Sequence, residues 1–538
     1  MKQQADGYQT SEISRMKEGF EKGNLTRREF MQGLFALGLS VSSAGVLVAG
    51  SRDAKAETPK RGGRLRAAWN LHGPSDTMDP ILVSGAHDYL RVRTFYNSLV
   101  RFNDDLTVSP ELAEEWSIND DVTEFTFKIR KGVEFHNGKT LDADDVIYSM
   151  NRHLGEDSVS KAKSLVSMVE EWKKLDQYTV KATLSSPNGD LPAILGTFHF
   201  KIIENGAQGD YFLNPNGTGP FKVKEFKPGI RTLGVRNDNY WVEGRPYLDE
   251  IDNFGITDTT ARSNAAIAGD VEIAGAPAPT AYKQIEETSH LKLVSIPSAN
   301  FAGAVCMLDR HPGNNRDFVL GMKHLYNRER IVRSVMKGHG MVANDQPISA
   351  AYPDHCAELE QRPYDPDKAQ FHLKKSGITE ATIVAGEVRQ GLTDIALMVQ
   401  ADAAKVGFKF NVKKVPTDGY WGTVWMNKPI CTVGWNMRPT ANVMLTLARH
   451  SEAPWNDSKF KNARFDQLLL DTRAELDAGK RREMYCEMQR MLRDEDGFII
   501  PAHINYVDAV NKKVKGLGAV PLCNLMGAEW PEFAWLDT

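Results

Sequence analysis

Between Ser109 and Arg152 the chain carries its densest local signals, and they restrict it to a mixed α/β architecture. Glu124-Phe125-Thr126-Phe127-Lys128-Ile129-Arg130 alternates polar and apolar side chains, the period of a strand with one face buried and the other wet. Asn137-Gly138 supplies the positive φ of a tight turn. Asp142 stands where a helix N-cap belongs, with Asp145 three residues on, and Val146, Ile147 and Met150 recur at helical spacing, so a helix is predicted over Asp142–Arg152. From Ser109 onward the stretch reads as a short helix, a two-stranded ribbon, a turn and a second helix. Short strands alternating with helices continue from residue 63 to the end without an internal repeat, the pattern of α/β lobes rather than a bundle or a barrel.

At 538 residues the chain exceeds what one hydrophobic core holds, about 250 to 300 residues, so two or more lobes are expected. Charged residues make up 25% and hydrophobic ones 41%, and past residue 56 no apolar run is long enough to cross a bilayer. Thr26-Arg27-Arg28-Glu29-Phe30-Met31 resembles a twin-arginine export signal, and a weakly apolar stretch from Leu34 to Gly50 leads to the small-residue exit Ala54-Lys55-Ala56. Cleavage after Ala56 and a periplasmic location are expected, against a soluble amphipathic tail or a membrane anchor as the alternatives. Removing residues 1–56 leaves 58 Lys/Arg against 64 Asp/Glu, a formal charge of −6, which argues against a nucleic-acid partner. Twin-arginine transit carries folded chains but does not by itself imply a cofactor, and none is expected.

The signature stretch resembles the family 5 extracytoplasmic solute-binding proteins, the peptide, nickel and opine receptors of ABC importers. Further blocks agree in order: Gly217-Thr218-Gly219-Pro220-Phe221-Lys222-Val223, Asn237-Asp238-Asn239-Tyr240-Trp241, Gly244-Arg245-Pro246-Tyr247-Leu248-Asp249-Glu250-Ile251, Arg262 to Ala274, the helix start Tyr364-Asp365-Pro366-Asp367-Lys368-Ala369, and the strand ending in Gly434-Trp435. The resemblance implies a type II periplasmic-binding-protein fold, α/β, with two lobes, a hinge and an extra subdomain. On that reading 59–100, 213–297 and 505–538 make lobe one, 101–212 the added subdomain and 298–504 lobe two. It also implies a monomeric receptor, working with ABC permease and ATPase subunits, whose lobes close on a small solute; a sensory receptor or periplasmic chaperone using the same closure is the alternative.

The resemblance also places the candidate site. In dipeptide and oligopeptide receptors the loop after Gly-Trp carries an acid that holds the peptide's α-amino group. Here Asn436-Met437-Arg438-Pro439-Thr440-Ala441-Asn442 has none. Arg438 would repel an ammonium and suits a carboxylate or phosphate, so the expected solute is peptide-like, opine-like or otherwise acidic. The alternative is that Arg438 turns back onto an acidic neighbour. Arg389, in Gly386-Glu387-Val388-Arg389-Gln390-Gly391, matches by position the family's carboxylate-binding arginine, unless Glu387 neutralises it. Trp435 is expected at the cleft floor with Asn436 and Met437 beside it. Tyr420, Trp421 and Trp425 either wall the cleft or lie in the core, and His72 or Ser75 reaches over the ligand from lobe one.

For catalysis, no H-E-x-x-H, G-x-S-x-G, Walker or G-x-G-x-x-G motif occurs, and Ser158-Val159-Ser160-Lys161 has serine-x-x-lysine spacing with no companion motif. No enzymatic activity and no metal site are expected. The five cysteines, Cys306, Cys356, Cys431, Cys486 and Cys523, lack zinc spacing. By family analogy Cys306 and Cys431 lie on neighbouring strands, so they either pair in an oxidising periplasm or stay buried as free thiols.

Overall fold

A computed structural model of the chain describes residues 58–69 and 75–537. The export signal, the Ala56 exit and His72 lie outside them. Among the described residues no helix is long and apolar enough to cross a membrane.

Two long antiparallel strands, Leu291–Cys306 and Phe498–Asn511, form the spine of an eleven-stranded sheet. Their ladder runs from Leu291↔Asn511 to Ile296↔Tyr506, breaks, and resumes from Asn300↔Ile504 to Val305↔Phe498. Pro297, which has no N–H to give a ladder, stands in the break. Ser298 partly replaces the missing bonds, its hydroxyl donating to the Ile504 carbonyl at 2.7 Å. On one side of the break the sheet continues through Ile273–Gly275, Arg64–Trp69, Glu250–Gly255, Arg231–Arg236 and Phe221–Lys227. On the other it continues through Ile430–Trp435, Glu380–Ala385 and Lys409–Lys414. Each half has its own apolar core, Leu65, Phe95, Ile251, Leu525 and Trp530 in the first and Phe301, Val433, Met444 and Phe498 in the second.

A separate four-stranded antiparallel sheet, in the order Ala113–Ile118, Glu124–Ile129, Thr179–Leu184, Val169–Asp176, holds the signature stretch. Phe125, Phe127 and Ile129 point inward and meet Val146 and Met150 of the helix Ala143–Asn151. That helix starts as its sequence requires: Asp142 accepts from the Asp144 N–H at 3.0 Å, and its own N–H donates to Asp145 Oδ2 at 3.1 Å. The short helix expected at the head of this stretch is not there: Ala113–Ile118 is a strand, with Trp116 opposite Phe127. Helix propensity here lost to the apolar edge of Glu124–Ile129, which offers a ladder and a core contact at once.

The glycines of Gly217-Thr218-Gly219 serve a close approach. A Cβ at Gly217 would lie 1.9 Å from the Phe95 carbonyl oxygen, and one at Gly219 2.3 Å from its carbon. Thr218 donates to Asn97 Oδ1 at 3.1 Å, tying this loop to the helix Ala86–Phe95 through the residues that follow it.

The disulfide is Cys356–Cys486, and Cys306 and Cys431 are free and buried. The expected neighbouring strands are present, but Cys431 lies opposite Val305 and Cys306 opposite Ile430. Offset by one residue, the two thiols point to opposite faces of the sheet and enter different cores. Cys356 meets Cys486 because the helix Ala478–Glu495 packs on the loop before it, where Gln489 donates to the Asp354 carbonyl and accepts from the Cys356 N–H.

Candidate functional site

Over the break between the long strands lies a cavity of about 700 Å³. Asn300, Asn505 and Tyr506 of those strands form its base; Trp69, Pro277, Tyr282 and Asn524 line it from the first half of the molecule, and Met336, His339, Arg389 and Gln390 from the second. Among the described residues none that lines it is acidic. A smaller cavity of about 370 Å³ beside the disulfide, lined by His355, Glu358, Glu360 and His503, holds no guanidinium.

Arg389 follows the strand Glu380–Ala385 and precedes the helix Leu392–Lys405. Glu387 does not neutralise it: that carboxylate accepts from the Gly391 and Thr393 N–H groups, the latter at 2.9 Å, where the helix begins. The arginine stem crosses Gly434, where a Cβ would stand 2.6 Å from Arg389 Nε. The glycine of the Gly-Trp pair therefore makes room for a cation from the next strand. Arg389 Nη2 donates to Asn436 Oδ1, and its Nε is buried with no acceptor.

Arg438 comes from the loop after Ile430–Trp435. The Tyr352 hydroxyl holds its backbone twice, donating to the Arg438 carbonyl at 2.7 Å and accepting from its N–H at 3.0 Å. The guanidinium carbon stands 5.8 Å from the Trp435 ring centroid, and Nε is again buried without an acceptor. Burial lowers the pKa of both arginines from the ordinary guanidinium value, and the Arg438 charge lowers that of Arg389 further. What opposes this is hydroxyl, not carboxylate: Tyr506 beside Arg389, and Tyr352, Tyr89 and Tyr506 beside Arg438. Among the described residues neither guanidinium forms an ion pair.

Trp435 is buried under this group and its indole N–H donates to Asp457 Oδ2 at 3.1 Å; Trp425 donates to the same oxygen at 2.9 Å. Asp457 thus takes the indole N–H of Trp435 and is held by Arg449 at 3.0 Å. Met437 is buried, its N–H bonded to Asn300 Oδ1 and its sulfur accepting from the Ala299 N–H. Tyr420 is a core residue, its hydroxyl donating to the Thr432 carbonyl at 2.8 Å. Trp421 is 48% exposed and meets Trp425 edge-on. Arg389, Asn436 and Arg438 come together, then, while Tyr420 stays inside. The sequence reading missed Tyr89, Tyr352, Asn300 and Tyr506. Of these only Tyr506 had a local sign, its place in an alternating strand; the others reach the site by tertiary contact.

The cleft is framed by two cores and lined by the guanidinium of Arg389 and the hydroxyls of Tyr282 and Tyr506. The chain belongs to the bacterial extracellular solute-binding proteins, family 5, whose middle-region profile matches residues 107–454. It is the extracytoplasmic binding component of an ABC importer, not an enzyme. It is 28% identical over 477 residues to the dipeptide-binding protein of Escherichia coli K12, covering 79% of this chain and 87% of that one. The type II periplasmic-binding fold recurs in HbpA2 from Haemophilus parasuis, with a TM-score of 0.79, 23% identity, and coverage of 88% of this chain and 100% of that one. It recurs also in AgaA from A. tumefaciens R10 in complex with agropinic acid, with a TM-score of 0.70, 22% identity, and coverage of 88% and 99%.

Proposed function

We propose that this protein is a periplasmic receptor for a small solute bearing an anionic group, peptide-like or opine-like, which it delivers to its permease. The observation that carries this reading is Arg389, which lines the cleft, with Arg438 close beside it, both having a buried Nε and no carboxylate partner. A fork of charged donors binds two oxygens in parallel, whereas a peptide's free ammonium would meet repulsion there. The relative in complex with agropinic acid supports an acidic ligand within this fold.

The chain is exported through its twin-arginine signal, is cleaved after Ala56 and acts as a monomer. Lobe one comprises 59–100, 213–297 and 505–538, lobe two 298–504, and 101–212 is the added subdomain. The broken ladder at Pro297–Ala299 supports a hinge between the lobes, because strands that lose their ladder bonds bend there at least cost. Ligand touching both sides then favours the closed form that the membrane partner reads.

A thermal-shift screen tests the reading. An acidic solute at about 100 times its dissociation constant adds about 2.7 kcal/mol to folded-state stability, and simple di- and tripeptides add nothing. Arg438→Ala is expected to abolish that rise and leave the unliganded melt within about 0.5 kcal/mol, as substitutions that break no buried pair do. An undiminished rise would return Arg438 to a purely structural role.

A further inference from the structure

The guanidinium that lines the cavity, Arg389, has a second one, Arg438, close enough to lower its pKa, and what that pair implies deepens the reading above and rests on it. Arg389 and Arg438 leave neighbouring parallel strands, paired at Val384↔Cys431, and each keeps a buried Nε that no protein acceptor reaches. Their one side-chain acceptor is the neutral Asn436. The hydroxyls around them stay neutral, since burial raises the pKa of Tyr89, Tyr352 and Tyr506. Three acids of this region are engaged elsewhere. Glu387 caps a helix, Asp457 takes the Trp435 indole N–H and pairs with Arg449, and Asp508 accepts from the Ala276 and Met526 N–H groups. A single negative charge entering this site would leave one desolvated guanidinium uncompensated beside its ligand, and that residual charge is costly in a medium of low polarity.

We infer that the cleft takes a ligand whose recognised end carries two negative charges, a phosphomonoester or two closely set carboxylates, one charge for each of Arg389 and Arg438. Guanidinium forks suit either group, because each presents several oxygens in a plane or tripod that parallel N–H donors can meet.

Isothermal titration of the exported chain separates this inference from the reading beneath it. The probes are a sugar phosphomonoester, its methyl phosphodiester, N-acetyl-aspartate and N-acetyl-alanine. At pH 7.5 each dianion is expected to bind about tenfold more tightly than its monoanionic counterpart, the effect of one added charge-assisted contact. The monoester, with a second pKa of about 6, should also lose about tenfold in affinity between pH 7.5 and 5.0. The diester keeps one charge throughout and so reports the protein's own titration, to be subtracted. Whether the monoester or N-acetyl-aspartate binds more tightly tells phosphate from dicarboxylate as the source of the charge. Arg438→Gln and, separately, Arg389→Gln are expected to reduce the dianion preference to about threefold or less, with melts confirming that each variant is folded. Equal binding of monoanion and dianion by the unaltered protein would overturn the two-charge inference and leave the single-anion reading standing. Failure of every anion to bind would overturn both.

Discussion

Three arginines of the core and the two in and beside the cleft are partnered in opposite ways. Arg91 lies buried between Asp76 at 2.9 Å and Asp88 at 2.6 Å, Arg328 binds Asp345 through both carboxylate oxygens at 2.8 Å, and Arg449 is held by Asp457 at 3.0 Å and Asp496 at 2.7 Å. Each guanidinium taken out of water there meets its counter-charge within the same fold. Arg389 and Arg438 are half-buried and meet only hydroxyls, an amide and an indole face. The contrast is between these closed pairs and two guanidiniums left without a carboxylate; Arg262, buried on backbone carbonyls alone, shows a third arrangement, in which the fold satisfies a cation without an acid.

The largest effect should come from breaking a core pair. Arg449→Ala strands Asp457, whose pKa burial already raises, together with Asp496, and is expected to cost about 3–5 kcal/mol in urea or thermal unfolding. A loss no greater than that of Arg438→Ala would erase the distinction between the two classes.

Asp508 is the acidic mirror of the cleft arginines, a buried carboxylate held by N–H donors instead of a cation. Burial pushes its pKa up to about 6, above the roughly 3.9 of an unfolded aspartate. The folded state therefore holds this proton more tightly, so the group's contribution is fully present below about pH 4 and lost as pH rises through about 6. Between pH 4 and 6.5 the unaltered protein should lose up to about 3 kcal/mol that Asp508→Asn does not, in melts across that range. Parallel profiles for the two proteins would show that the fold does not raise this pKa.

The smallest change turns a cleft arginine into a core-like one. Asn436→Asp places a carboxylate where Arg389 already donates, and should stabilise the unliganded protein by about 0.5–1 kcal/mol, the range of a partly exposed ion pair. Its anion affinity should fall about tenfold, because the ligand must now displace an internal partner. Unchanged affinity by titration would mean that Arg389 takes no part in binding.

Short-range chemistry was legible before any tertiary contact was known. The Asp142 cap, the turn at Asn137-Gly138, where Gly138 has φ 89°, and the helix from Pro366 behind Asp365 each depend on residues within one turn of one another. Segments whose state depends on a neighbour were not. The head of the signature stretch reads as a short helix and Ala113–Ile118 is a strand, because Phe125 and Phe127 supply the ladder and the core. Within the site, the absence of an acid after Trp435 was visible in the chain, while the diversion of Glu387 to a helix start and the shelter of Arg389 over Gly434 were not.

Amino-acid order alone therefore determined what is local or periodic here: the caps, turns and alternating strands, and the cationic character of the loop after Gly-Trp. Tertiary structure decided everything that turns on a partner far along the chain. It set which cysteines join across 130 residues, which face of the sheet each free thiol enters, and whether each arginine meets an acid. The physical reason is range. A hydrogen bond to a residue three positions away is available in nearly any conformation of the chain, whereas an ion pair or a disulfide exists only after the whole sheet has brought its two ends together.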